Sequence, residues 1–364
     1  MLGVGIEASA DGPSTPLHSE HPSVSDRRFT VSLLILFGFR FGPSRAGWSS
    51  KGARKEQSRA PTTPARGPTQ TDTIKNMALK VPARVAANCR KTPEGAAWLD
   101  RLPETLRSVE RRWSLTVGGP FDDEEVSCAW VAPVSLSDGT FAVLKLGMPH
   151  MEGEHEAHGL RFWDGDPTVR LLEADDDLGA MLLERCKPGT ALRSMPEPEQ
   201  DLVISGLLRR LWRLPSPPHP FRPLSMLMKY WSDATLADVE QWPDTGLVRE
   251  GLTLFEELPR HAPTAALLAT DLHAGNILRS KRKPWLVIDP KPFVGDPAFD
   301  STQHLFNCEV RLRSDPVGMI RRIAGLLGMD HERIRMWAFA RAAAEPRDDW
   351  SNEGWIQIAR ATTP

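Results

Sequence analysis

In the stretch LLATDLHAGNILRSKRKPWLVIDPKPFVGDPAFD, residues 267–300, the first two of four carboxylates, Asp271 and Asp289, have an amide, Asn276, between them. Asp271 and Asn276 sit on a segment rich in Gly and His, and Asp289 closes an apolar run. The segments around "NIL" and "WLVID" read as two short strands joined by the basic, Pro-ended turn RSKRKP. A hairpin of that length returns the chain so that Asp289 emerges beside the Asp271 loop.

Transfer of a phosphoryl group from a nucleotide needs few parts. One carboxylate orients the attacking hydroxyl and takes its proton. An amide and a second carboxylate hold Mg²⁺ against the phosphates, and a Lys held by a Glu neutralises the inner phosphates. Asp271-Leu-His-Ala-Gly-Asn276 has the Asp-x-x-x-x-Asn spacing of such a loop. Taken singly, Asp271 could cap a turn and Asn276 could occupy a left-handed position. The offset to Asp289 favours chemistry.

Outward from this segment, strands come first and helices follow. From residue 77 to about 112 the pattern is helical, with Pro93 and Glu94 opening a helix through Trp98, Leu99 and Leu102. Residues 114–147 read as a hairpin turning at Ser137-Asp138-Gly139. EGEHEAHGLRFWDG (152–165) is an amphipathic helix ended by Gly165, and residues 168–186 give two strands around an acidic turn. From Pro188 the chain is mostly helical. This predicts an α+β, bilobal plan with a β-rich lobe over 77–187 and a larger helical lobe over 188–364. Asp296 followed by Pro297 reads as a helix cap, and Asp300, four residues on, could face the catalytic loop. The tryptophans Trp212, Trp231, Trp285 and Trp337 read as core.

Residues 1–76 are different. GPSRAGWSSKGARKEQSRAPTTPARGPTQTDT (42–73) has almost nothing to bury and predicts a disordered extension. The apolar run FTVSLLILFGFRF (29–41) is shorter than the roughly 20 residues of a membrane helix. A signal peptide is the alternative, but 28 mostly polar or small residues precede the run and no cleavage site stands out. Met77 is expected to begin the functional protein.

Composition bounds the partners. Hydrophobic residues are 40% and charged residues 25%, with a formal charge of −2, which points to neither nucleic acid nor an anionic membrane. The charge is uneven. Residues 1–76 carry ten Lys/Arg against six Asp/Glu, and the remainder carries 35 against 41. The folded part is therefore acidic and suits a cationic substrate. Cys89, Cys128, Cys186 and Cys308 are widely spaced with no CxxC, which points to a reducing compartment, the cytoplasm, and away from zinc.

TDLHAGNIL and WLVIDPKPFVGDPAFD, together with VLKLG, EAHGLRFWDGDPTVRLLEAD and MLLERCKPGTALR, resemble the aminoglycoside and hydroxyurea phosphotransferase family, especially its streptomycin 6-phosphotransferase branch. The resemblance spans about residues 80–360. It implies the protein-kinase-like fold, ATP and Mg²⁺, and an alcohol acceptor on a small molecule. It makes Asp271 the catalytic acid/base, Asn276 and Asp289 the Mg²⁺ ligands, Lys145 the phosphate-binding lysine and Glu156 its partner. Glu154 competes for that last role, but Glu156 matches the family position. LLERC (182–186) would meet adenine. Streptomycin is the expected acceptor, with hydroxyurea, another small metabolite, or nucleotide binding without catalysis as the alternatives.

Two departures stand out. Ala269-Thr270 precedes Asp271 where the family commonly has His-Gly, and Pro290-Lys291 follows Asp289 in place of the Phe-Gly of kinases, as in the streptomycin branch. The phosphate loop VGGPFDDEEVS (117–127) lacks a full Gly-rich motif. A cationic acceptor calls for carboxylates, and Glu345, Asp348, Asp349 and Glu353 near the C-terminus are the expected local source; a solvated acidic turn is the alternative.

Overall fold

A computed structural model describes residues 79–122 and 126–364. The expected extension over 1–76 and residues 123–125 of the phosphate loop lie outside them.

The chain opens with helices α1 (Ala83–Cys89) and α2 (Pro93–Arg112). Thr92 caps α2 by accepting from Gly95 N at 3.0 Å, with Pro93 in the first turn. Trp98, Leu102, Leu106 and Val109 recur at helical spacing and are buried. They cover one face of an antiparallel five-stranded sheet of order β1-β2-β3-β5-β4. Its strands are β1 (Thr116–Val117), β2 (Ala129–Ser135), β3 (Phe141–Gly147), β4 (Leu171–Asp175) and β5 (Ala180–Glu184). The β2–β3 turn falls at the expected Asp-Gly, where Gly139 takes φ +82° and Asp138 accepts from Thr140 N at 2.8 Å.

Strand alternation divides the labour of β3. Ala142, Leu144 and Leu146 pack toward α2, while Val143 and Lys145 face the opposite side, with Lys145 flanked by Val131 and Met181. On that side lies α3 (Glu156–Trp163). It starts four residues later than the pattern from Glu152 predicts, because Glu152 is buried and its Oε1 accepts from Trp231 Nε1 at 3.2 Å. The turn at Asp164 and Gly165, both at positive φ, ends the helix as expected.

Strand β6 (Pro188–Ala191) leads into helices α4 (Glu197–Leu211), α5 (Leu224–Ala237) and α6 (Thr245–Arg260). Then come the short strands β7 (Ala266–Leu268), β8 (Ile277–Ser280), β9 (Trp285–Val287) and β10 (Phe293–Gly295). Helices α7 (Pro297–Asn307), α8 (Glu309–Ser314), α9 (Pro316–Leu327), α10 (His331–Ala344) and α11 (Glu353–Thr362) complete the chain. This is the bilobal, protein-kinase-like α+β arrangement. Phe255, Phe299 and Trp337 centre the helical core. Helices α6 and α10 approach closely at Gly251, where a Cβ would lie 2.8 Å from that of Ala344. Trp231 and Trp337 are core as read, whereas Trp212 and Trp285 are half-buried.

Arg282, in the turn between β8 and β9, ties the two lobes. It pairs with Glu184 at 2.7 Å and donates to the carbonyls of Gly165 (2.7 Å) and Thr168 (3.0 Å). Among the described residues no helix is long and apolar enough to cross a membrane.

Candidate active site

The sequence brings Asp271 to a rim by pairing β7 with β10 and β8 with β9. Leu267 opposes Val294, and Leu278 opposes Leu286. Between β7 and β8 the loop runs through a 3₁₀ turn, Ala274–Asn276, which His273 caps by accepting from Gly275 N at 3.1 Å. Burial pushes the His273 imidazole down to about 3, so the ring is neutral and acts as a loop brace. Ile288 N donates to the Asn276 carbonyl at 2.9 Å, which sets Asp289 beside the Asp271 loop.

The Asp271 carboxylate is held from two sides. Gln303 Nε2 on α7 donates to Oδ1 at 2.8 Å. Asn276 Nδ2 donates to the Asp271 carbonyl at 3.0 Å and lies 3.4 Å from Oδ2. Burial, opposed in part by the Lys291 ammonium, raises the Asp271 carboxyl to about 7. That value suits proton transfer near neutrality. Behind Gln303, Arg341 Nη2 donates to its Oε1 at 2.8 Å, and Arg341 in turn pairs with Glu345 at 2.7 Å. Asp300 accepts from Ala269 N and from Trp212 Nε1, both at 3.0 Å, so it supports the loop as its spacing suggested.

Lys145 joins the lobes at the same rim. Its Nζ lies 2.6 Å from Glu156 Oε2 and 2.6 Å from Asp289 Oδ1. Glu154 instead pairs with Arg222 at 2.7 Å. Burial alone would raise the Asp289 carboxyl, but the ammonium groups of Lys145 and Lys291 outweigh it and hold it well below the usual carboxylate range.

The structure therefore brings Asp271, Asn276, Asp289, Lys145 and Glu156 to one rim. They border a cleft of about 1290 Å³ between the sheet and the helical lobe, roomy beyond the several hundred Å³ of a single small-ligand site. Val143, Met181 and Leu183 give it an apolar roof.

Among the described residues no group of three or more His, Cys, Asp or Glu could hold a metal alone. Mg²⁺ does not need one, since it keeps waters and takes one or two protein oxygens plus phosphates. Asp289 is bonded through Oδ1 and Asn276 through its amide nitrogen. This leaves Asp289 Oδ2 and Asn276 Oδ1 as oxygen donors at the cleft, a set that fits the ion.

Sequence reasoning missed Gln303, Arg341 and the role of Thr270. Thr270 takes φ +44° where Gly is usual, and its hydroxyl donates to the Lys291 carbonyl at 2.7 Å. Asp289 also has positive φ, +53°. Such conformations cost about 1–3 kcal/mol each and persist where surroundings enforce them. The C-terminal carboxylates do not meet expectation. Glu345 is buried against Arg341, Asp348, Asp349 and Glu353 are exposed, and none borders the cleft. The chain turns inward at Arg347, a buried residue, and leaves Asp348 and Asp349 at the surface. Acids that do border the cleft include Glu94, Glu104, Glu154 and Asp175–Asp177.

Residues 112–349 match the family model described as aminoglycoside/hydroxyurea antibiotic resistance kinase. A streptomycin 6-kinase from Streptomyces glaucescens is 34% identical over 278 residues, covering 72% of this chain and 88% of that one. A hydroxyurea phosphotransferase from Kitasatospora aureofaciens is 36% identical over 254 residues, covering 68% and 73%. Among solved structures, the choline kinase LicA from Streptococcus pneumoniae aligns at 13% identity and a TM-score of 0.48 over 71% of this chain and 91% of that one.

Proposed function

The chain belongs to the aminoglycoside/hydroxyurea antibiotic resistance kinase family and is a small-molecule phosphotransferase; from that premise we propose that it transfers the γ-phosphoryl group of ATP, with Mg²⁺, to an alcohol group of an aminocyclitol antibiotic such as streptomycin. One observation carries this reading. Lys145 reaches both Glu156 in its own lobe and Asp289 in the other, at the rim that holds Asp271.

In this reading the β-rich lobe, 77–187, binds the nucleotide and the helical lobe, 188–364, carries the acceptor. Lys145, oriented by Glu156, neutralises the inner phosphates. Asn276 and Asp289 hold Mg²⁺, which when bound offsets the charge of the phosphates. Asp271, aimed by Gln303 and Asn276, accepts the proton of the attacking hydroxyl. The backbone of residues 182–186 meets adenine beneath the apolar roof. A protein that only binds nucleotide has no use for a carboxylate positioned by two amides from separate elements.

Residues 77–364 carry 41 acidic against 35 basic side chains, a balance that suits a cationic acceptor. The added phosphate would put charge and bulk on a hydroxyl of the drug and so inactivate it. Hydroxyurea is the second reading, carried by a relative of that activity at 36% identity. Four cysteines free of disulfides fit the cytoplasm. Incubation of the purified chain with ATP and Mg²⁺ decides between the acceptors. Phosphate on streptomycin supports the reading; phosphate on hydroxyurea alone supports the second.

A further inference from the structure

Lys291 helps keep Asp289 ionised, and the fold holds it at the reacting centre. It is 5% exposed and borders the cleft. Its Nζ contacts Asp289 Oδ1, the oxygen that Lys145 already approaches at 2.6 Å. Its backbone is locked to the catalytic loop from both sides. Lys291 N donates to the Ala269 carbonyl at 2.8 Å, and its own carbonyl accepts from Thr270 at 2.7 Å. Thr270, where the family commonly has Gly, and Lys291, where protein kinases have Gly, thus contact each other.

A buried ammonium carries a desolvation penalty of several kcal/mol. Asp289 offsets part of it, but that carboxylate is shared with Lys145, at 2.6 Å. A cation bound at Asp289 would compete with Lys291 for the carboxylate. The phosphates of a nucleotide in the cleft would then join Asp271 and Glu156, the other carboxylates that act on the Lys291 ammonium. Protein kinases hold two Mg²⁺ ions around the transferred group.

We propose that Lys291 is a catalytic residue that donates to the oxygens of the transferring γ-phosphoryl group, supplying the charge of a second metal ion. The proposal rests on the ATP phosphotransfer reading above. In the step, a bond forms between the acceptor oxygen and the γ-phosphorus as the bond from that phosphorus to the β–γ bridging oxygen breaks. The electron pair leaves with ADP and the hydroxyl proton passes to Asp271. Lys291 keeps its protons throughout.

The test compares wild type, Lys291→Met and Lys291→Arg by steady-state kinetics with streptomycin and by calorimetry with ADP, Mg²⁺ and aluminium fluoride, a mimic of the transferring group. Loss of one preorganised donor to developing charge lowers kcat by roughly 10²–10³-fold. Lys291→Met should show that loss with the KM for ATP and the affinity for ADP unchanged. It should also lose the tightening that aluminium fluoride gives to ADP binding. Lys291→Arg, which keeps the charge, should recover part of both. Should Met prevent folding, Lys291→Gln keeps a donor to Asp289 without charge and is read the same way. A neutral variant that retains both kcat and the aluminium fluoride effect overturns the proposal. So does one in which ADP affinity falls in step with kcat, the signature of a structural counter-ion. Wild-type protein that transfers no phosphate from ATP to either acceptor overturns the functional reading itself, and the proposal with it.

Discussion

Gln303 Nε2 lies 2.8 Å from Asp271 Oδ1, so the carboxylate at the centre of the site is aimed by helix α7 as well as by its own loop. Gln303 is in turn fixed by Arg341 on α10, which is pinned by Glu345. The orientation of one loop side chain is thereby tied to the rigid core of the helical lobe.

Gln303→Ala should therefore act on chemistry more than on binding. It frees one Asp271 oxygen without touching Lys145 or Asp289. Misplacement of a reacting group by about 1 Å can cost about 10²-fold. We expect kcat to fall by roughly one to two orders of magnitude, with the KM for ATP unchanged. Equal losses in kcat and in nucleotide affinity would instead mark Gln303 as a general support of the cleft.

Burial, opposed in part by Lys291, raises the Asp271 carboxyl to about 7, and only its ionised form accepts a proton. The pH profile of kcat/KM, which reports the free enzyme, should rise through the acid range and level off above about 7. For stability the sign is the reverse. A carboxyl whose folded value lies above its unfolded value of about 3.9 stabilises the fold at acid pH, and that contribution fades as pH rises toward 7. A kcat/KM that stays flat between pH 5 and pH 8 would contradict the assignment.

Asp289→Asn removes the charged oxygen of the proposed metal pair. Even outer partners of metal ligands are worth about 10–100-fold in affinity. The Mg²⁺ concentration for half-maximal transfer, measured at fixed ATP, should rise by at least about tenfold. An unaltered Mg²⁺ titration would remove Asp289 from the metal site.

Arg282→Ala breaks the tie between lobes, a pair with Glu184 and two carbonyl contacts. Hydrogen bonds to charged groups contribute about 1.5–3 kcal/mol each at most, and this set is partly solvated, so a total near 2 kcal/mol is expected. The melting temperature should fall by several degrees, at roughly 2–4 °C per kcal/mol for a chain of about this size. No shift would mean that the lobes dock through their apolar contacts alone.

Much of this site was legible because its chemistry is local. Asp271, Asn276 and Asp289 lie on one loop and the hairpin after it, so their offsets survive in the sequence. Lys145 and Glu156 were named through resemblance, and the 2.6 Å contact joins residues from β3 and α3. The residues that escaped are those whose meaning depends on distant segments. Gln303 looks like any polar position of α7 until α7 packs beside the loop. The start of α3 was misread because Glu152 is drawn to Trp231, 79 residues away. Strand β6 went unseen because its partner, β8, lies some 90 residues on. The C-terminal acids failed for the converse reason: composition suggested a pocket, and the turn at Arg347 sends two of them to the surface.

The proposed phosphoryl transfer in this cleft makes Asp271 its base. The most direct test is Asp271→Asn, which keeps the shape of the side chain and removes its basicity. ATP affinity by calorimetry and phosphate transfer to streptomycin are measured on the same preparation. Affinity should be unchanged, with transfer lowered by about 10²–10⁴-fold. Transfer at the wild-type rate would contradict that role.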